Sequence, residues 1–273
     1  MNKIITNKNI SDIEMFYEVF FFDLYGVIHN GFKLFPNIIN VLKNLKRLNK
    51  KVIFISNAPR KSKKIKEFLE KLGLKRNLYF DVISSGDITY KNYLLKLKKE
   101  KYFFIGADKD DDFCKSLKIT RGKILEESDF ILNLGLNFGE IVSNYNYILR
   151  KAAKLKLPMI CVNPDLEVIR GKKKEICAGA LALKYEEFGG KVKYFGKPYR
   201  NIYKECLKII KFNNKKKILA IGDSIRTDIL GANNFSIDSV LVLTGIHKKI
   251  KEIEKICKQT NIYPKFIFNK LEW

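Results

Sequence analysis

Cysteine pairs, histidine clusters and long apolar runs are all missing from this 273-residue chain. No CxxC occurs, and the five cysteines (Cys114, Cys161, Cys177, Cys206 and Cys257) are odd in number and sit mostly in apolar or helical contexts. That argues against a disulfide framework and for a reduced, cytoplasmic protein. The two histidines, His29 and His247, belong to no His/Cys cluster that would suggest zinc. The opening MNKIITNKNISDIEMF holds no apolar stretch of signal-peptide length, and the most apolar run, residues 19–22, is far short of a membrane span. A soluble chain with no membrane partner is expected. Internal repeats, low-complexity tracts and Gly/Ser linkers are absent as well.

Arginine is also scarce, eight residues in a chain whose formal net charge is +24. Nucleic-acid footprints usually gather their positive charge on one face, often as Arg. Here lysines are spread from Lys3 to Lys270, which reads as solvated faces. A nucleic-acid-binding reading rests on charge alone and would show steeply salt-dependent affinity. No nucleic-acid partner is expected, although the same charge attracts small anionic substrates. The composition, 46% hydrophobic and 30% charged, is that of a globular chain. Its length suits one α/β core with an inserted second domain.

Short apolar runs alternate with amphipathic stretches, the pattern of βα units around a parallel sheet. A first set has strands at 19–23 and 51–56, a helix opened by Pro36, and a helix over 60–73 that stops at Gly73. A second set has strands at 80–84, 101–106, 130–135 and 158–163, with helices at 87–99, 139–156 and 178–188. The third has helices at 199–211, 225–234 and 247–258 and strands at 217–223 and 239–243. Polar strand-end motifs lie only in the first and third sets, so the middle set reads as an insertion.

Four segments carry chemistry. In FFFDLYGVIHNG an apolar strand delivers Asp23 to its C-terminal end, where open parallel sheets place ligands, and Gly26 allows a tight turn beside it. A strand-end Asp is as often a cap or turn residue. KILAIGDSIRTDILGA ends a second strand in Asp223, with Asp228 five residues on. Two carboxylates so placed suit a hard cation such as Mg²⁺, against the plainer reading of an N-cap and a solvated Asp. KVIFISN places Ser56 and Asn57 at a third strand end, suited to phosphate oxygens but also common in turns. FGKP sets Lys197 before Pro198 and a helix, where it could neutralise a phosphate and Asp23 together.

In this order the four segments resemble the motifs of the haloacid dehalogenase superfamily. The long insertion, with VNPD at 162–165 and AGALA at 178–182, is similar to the class IIA capped, NagD-like phosphatases of nucleotides and sugar phosphates. The resemblance implies an α/β fold: a Rossmann-like core with a parallel sheet over 1–80 and 191–273, and an inserted α/β cap over 81–190. It implies a Mg²⁺-dependent hydrolase of small phosphate monoesters that works through an aspartyl-phosphate. Asp23 would be the nucleophile, and Ser56 and Lys197 would hold phosphate oxygens. The metal would sit on Asp23, the Tyr25 carbonyl and Asp223, with Asp228 in direct or water-mediated support. Asn163 and Asp165 of the NPD loop would lie near a small phosphorylated metabolite, and Asn57 beside them. Caps of this class often pair, which leaves a homodimer open.

One position departs from the pattern. Phosphatases of this superfamily usually carry Asp two residues after the nucleophile as general acid and base, and here that residue is Tyr25. An aromatic residue there resembles a class IIA subgroup. Tyr25 itself or a cap residue supplies the proton, or the substrate has a leaving group that needs none, or the protein binds phosphorylated ligands and catalyses little. A phosphotransferase stays open, since an aspartyl-phosphate can pass its group to an alcohol. His29 is read as a loop residue more often solvated or capping than touching substrate, and His247 as the start of the last helix.

Overall fold

The computed structural model describes residues 4–6, 8–171, 173–247 and 249–273. In chain order the strands are β1 (Val19–Phe22), β2 (Lys51–Ser56), β3 (Asp81–Ser84), β4 (Lys101–Ile105), β5 (Thr120–Arg121), β6 (Phe130–Asn133) and β7 (Met159–Cys161). There follow β8 (Glu167–Arg170), β9 (Lys173–Ile176), β10 (Val192–Tyr194), β11 (Ile218–Gly222), β12 (Asp238–Val242) and β13 (Phe266–Phe268).

Six strands form one parallel sheet in the order β13-β12-β11-β1-β2-β3. Its centre is apolar on both faces because helices cover both, as the unbroken VFFF of β1 requires. Phe20, Phe22 and Phe54 pack on one side with Val41 and Leu45 of the helix Ile38–Arg47. Phe21, Ile53 and Ile55 pack on the other with Tyr203 and Cys206 of the helix Arg200–Ile210. A second parallel sheet runs β10-β7-β6-β4-β5, and β8 and β9 form a separate antiparallel hairpin. The second apolar cluster continues from Ile55 and Ile83 into Leu132, Ile160 and Phe195, so the smaller sheet is tied to the core sheet by buried surface.

The expected α/β architecture is present, with corrections at the junctions. The boundaries at 80/81 and 190/191 each fall a few residues early. β3 pairs with β2 and closes one edge of the core sheet, while β10 pairs with β7 and closes an edge of the small one. The helix expected at 87–99 is Ser85–Asn92 followed by a single turn at Leu94–Lys96. That expected at 139–156 begins as a tight turn at Val142–Tyr145 and becomes α-helical over Asn146–Lys154. The segment at 225–234 starts with a wide π-type turn, Ile225–Ile229, before the helix Leu230–Phe235. The last helix is Ile250–Thr260, and Lys248 of the expected range lies outside the described residues. All five cysteines are free and buried, and no helix among the described residues is long and apolar enough to cross a membrane.

Candidate active site

Three neighbouring strands, β11, β1 and β2, end side by side in polar residues. Their registers align Ile221 with Phe22 and Phe22 with Phe54, so Asp223, Asp23 and Ser56 emerge together at the C-terminal edge of the sheet. The Asp23 amide continues the ladder by donating to the Ile221 carbonyl at 2.8 Å. Asp228 returns to the same point from the π-type turn, its Oδ2 accepting from the Ser224 amide at 3.1 Å. Carboxylate oxygens of Asp23, Asp223 and Asp228 lie within 4.8 Å of one another. The plainer reading fails at both residues: Ser224 rather than Asp223 is the N-cap of the π-type turn, and Asp228 is buried.

Lys197 arrives after β10. Its Nζ contacts the Asp23 carboxylate and lies 2.7 Å from Asp228 Oδ1, with the side chain only 4% exposed. Burial works against the ammonium charge, but Asp228, Asp23 and Asp165 outweigh it and hold the pKa well above the ordinary lysine value. The carboxylates move upward too. Burial and the Asp228 charge, only partly offset by Lys197, bring Asp23 to about 7. Asp223 is likewise raised well above the ordinary carboxylate value by burial and by Asp23 and Asp228. One cation thus faces an excess of negative charge. An all-oxygen donor set with unbalanced charge fits a hard divalent metal ion, held by Asp23 and Asp223 with Asp228 beside them.

Gly26 makes this crowding possible. Its φ is +80°, and a Cβ there would stand 2.1 Å from Asp223 Oδ2. The Ile246 amide holds that same oxygen at 2.9 Å. Gly26→Ala is therefore expected to push Asp223 out of the cluster, weakening divalent-metal affinity about 10–100-fold and costing about 1–3 kcal/mol in backbone strain. Calorimetric titration with the metal and a melting curve check both.

Asn57 departs from its expected role. Its Nδ2 donates to Asp165 Oδ1 at 2.9 Å and to the Lys197 carbonyl at 3.1 Å, and its Oδ1 accepts from the Lys197 amide at 2.7 Å. Both donor hydrogens are consumed, so Asn57 ties Lys197 and the NPD loop to the core sheet rather than offering a donor to a ligand. Asn163 forms the local turn, its Oδ1 accepting from the Asp165 amide at 3.0 Å. Asp165 reaches the same cavity as the strand-end carboxylates from the inserted region. Burial raises its pKa, while Lys197 and hydrogen bonds from Asn57 and Thr227 pull it down. Ser56 is buried beside them, its Oγ accepting from the Ala58 amide at 3.2 Å.

Tyr25 lies over His29, ring centroids 4.4 Å apart and nearly perpendicular, and His29 meets Phe68 in the same way at 5.3 Å. His29 is neither solvated nor a helix cap. It is buried, accepts from the Gly31 amide at Nδ1, and burial lowers its pKa to about 4, leaving a neutral ring. Burial raises the Tyr25 phenol against the nearby positive charges of Arg170 and Arg60. His247 precedes the last helix, and its Nε2 accepts from the Ile225 amide at 3.3 Å.

Apart from Gly26 and His247, the site residues described above line one cavity of about 190 Å³. The hairpin β8–β9 contributes Glu167, Arg170 and Glu175 to its wall, and the core adds Arg60 and Lys64. No motif in the sequence marks these five, and only Arg60 and Arg170 stand out, as rare Arg among so many Lys.

Known proteins resemble this chain in sequence and fold. The chain matches the Haloacid dehalogenase-like hydrolase family over residues 20–120 and the HAD-hydrolase-like family over 194–272, together about two thirds of its length. It is similar to the 4-nitrophenylphosphatase of Schizosaccharomyces pombe, 26% identical over 93% of this chain and 92% of that one. Among solved structures it is similar to a haloacid dehalogenase-like hydrolase from Brucella suis 1330 (27% identity, TM-score 0.87, 97% and 99% covered). A possible sugar phosphatase of the same superfamily from Cytophaga hutchinsonii also aligns (27%, 0.82, 98% of both chains). With the strand-end carboxylates and the lysine in these places, the chain belongs to the haloacid dehalogenase-like hydrolases and is an enzyme of that superfamily.

Proposed function

We propose that the protein is a Mg²⁺-dependent phosphatase of small phosphate monoesters, acting in the cytoplasm through an aspartyl-phosphate on Asp23. The observation that carries this reading is the meeting of Asp23, Lys197, Asp223 and Asp228 at one sheet edge. In it, an Asp23 oxygen attacks phosphorus and the ester oxygen leaves, which splits a hard hydrolysis into two easier displacements. Lys197 steadies the transferring oxygens and the nucleophile together, and Ser56 lies where its hydroxyl can donate to another oxygen. The Asp23 and Asp223 carboxylates and the Tyr25 carbonyl would hold Mg²⁺, and Asp228, both of whose oxygens are already engaged, would orient its waters. Bound there, the ion supplies charge neutralisation for the phosphoryl group.

The reading is tested by phosphate release from a panel of monoesters with Mg²⁺ or with chelator. Turnover that needs the metal supports it, and silence with every ester contradicts it. A second reading, binding of phosphorylated ligands with little turnover, is favoured by Tyr25 alone. It predicts metal-dependent ligand affinity without release. Passage of the phosphoryl group to an alcohol would appear in the same assay as a transfer product.

Metal binding should also show in stability. Asp23 rises from 3.8 to about 7 on folding, so the stability it contributes is present at low pH and lost as pH climbs from 4 through 7. Mg²⁺ offsets the repulsion behind that loss. We expect a fixed Mg²⁺ concentration, 100 times its Kd at pH 8, to raise the melting temperature by about 5–10 °C at pH 8 and much less at pH 5. Equal shifts at both pH values would contradict this placement of the ion.

A further inference from the structure

Resting on the phosphatase reading, we propose that Arg170 is a specificity-determining residue and that the substrate is a small phosphorylated acid, whose carboxylate Arg170 receives while Asp23 takes the phosphoryl group.

Arg170 ends β8, at the turn of the hairpin that walls the cavity it shares with Asp23, Asp223 and Asp228. The hairpin is held over the core. The Gly171 amide donates to the Asn30 carbonyl at 2.8 Å, and a Cβ on Gly171 would meet the Phe32 ring at 2.9 Å. The Arg170 guanidinium stacks over that ring at 5.3 Å. Phe32 and Asn30 belong to the loop that follows the nucleophile, so the position of Arg170 is referred to Asp23 through a short stretch of chain.

The guanidinium is poorly spent on structure. Among the described residues it makes no hydrogen bond, and its one ion pair, to Glu175 Oε1, spans 3.6 Å, too long for one. Its Nε is shut off from solvent with no acceptor, although the side chain as a whole stays 38% exposed. A planar fork of donors left unmatched inside a cavity suits a two-oxygen anion, which it can take bidentately. The Tyr25 hydroxyl lies beside the same side chain, since a Cβ built on Gly31 would meet Arg170 Cγ at 2.9 Å and the Tyr25 hydroxyl at 3.5 Å. Arg60 adds positive charge, though Asp110 pairs with it at 3.4 Å. Size narrows the class further. The cavity of about 190 Å³ is below the ~300–1,000 Å³ of sites for drug-sized ligands. A two- or three-carbon acid with one phosphate suits it better than a nucleotide.

The experiment compares matched pairs of two- and three-carbon phosphate monoesters, one member bearing a carboxylate and the other a hydroxymethyl or methyl group. A bisphosphate of the same length serves as a further arm. Wild type should favour the carboxylated member by about 10–100-fold in kcat/KM, mostly through KM. Arg170→Gln should erase that preference, and Arg170→Lys should restore part of it. A wild type indifferent to the carboxylate, or an Arg170→Gln that slows both members equally, overturns the proposal. So does a preference for the bisphosphate over the carboxylate. If no ester turns over, the phosphatase reading fails instead, and calorimetric titration of the same pairs with Mg²⁺ decides this one. Tighter binding of the carboxylated member that is lost in Arg170→Gln upholds it, and equal affinities overturn it.

Discussion

Asp23→Asn is expected to abolish phosphate release, lowering kcat by about 10⁴–10⁶-fold, while leaving the fold intact. The amide keeps the shape of the carboxyl but has no charge with which to attack phosphorus. Lys197 loses one partner and keeps the other, Asp228 at 2.7 Å, so its buried charge stays paired. The folded state already disfavours the Asp23 charge, since burial and Asp228 raise its pKa to about 7 despite Lys197. A neutral replacement removes that penalty, so metal-free stability at pH 8 should be unchanged or higher than in the wild type. Steady-state release and a melting curve on the same preparation separate the two effects. Activity lost together with the melting transition would point to a structural role for Asp23 instead.

The second large effect runs in the opposite direction. Tyr25→Asp should accelerate hydrolysis of alkyl phosphates about 10²–10⁴-fold, because it places a carboxyl where the superfamily keeps its general acid and base. Tyr25 is ill suited to that work. Its pKa is raised by burial, so the phenol is a weak acid and is scarcely ever the phenolate that could activate water. The native enzyme should then depend steeply on its leaving group, turning over an aryl phosphate far faster than an alkyl one. Tyr25→Asp should flatten that dependence. The exchange also removes the ring that meets His29 at 4.4 Å, at a stability cost of about 3 kcal/mol. A plot of rate against leaving-group pKa for both proteins is the check. Parallel slopes would mean that another group already protonates the leaving oxygen.

The residues legible in the sequence were those announced by a buried strand. Asp23, Ser56 and Asp223 each follow an apolar run whose end fixes their position, and the parallel sheet brings the three ends together. Lys197 was found by its FGKP context, but its pairing with Asp228 depends on a π-type turn that no periodicity signals. Asn57 follows the same strand end, but its hydrogen bonds are not legible there. Its partners, Asp165 and Lys197, lie 108 and 140 residues away, and only the folded chain shows that its donors are taken. The hairpin β8–β9 escaped altogether. Its strands, EVIR and KKEI, are charged and half exposed, so they carry neither an apolar run nor a clean alternation. β5 and β10 are edge strands of two and three residues, too short to leave a pattern. The cavity wall, and with it Arg170, follows from those weak elements.

The most direct test of the central claim is to quench the protein in acid during turnover of an aryl phosphate with Mg²⁺ and to locate bound phosphate by peptide mass spectrometry. A phosphoryl group on the peptide containing Asp23, absent without Mg²⁺ and absent in Asp23→Asn, is the predicted result. Rapid turnover with no labelled peptide, or with the label on another residue, would contradict it.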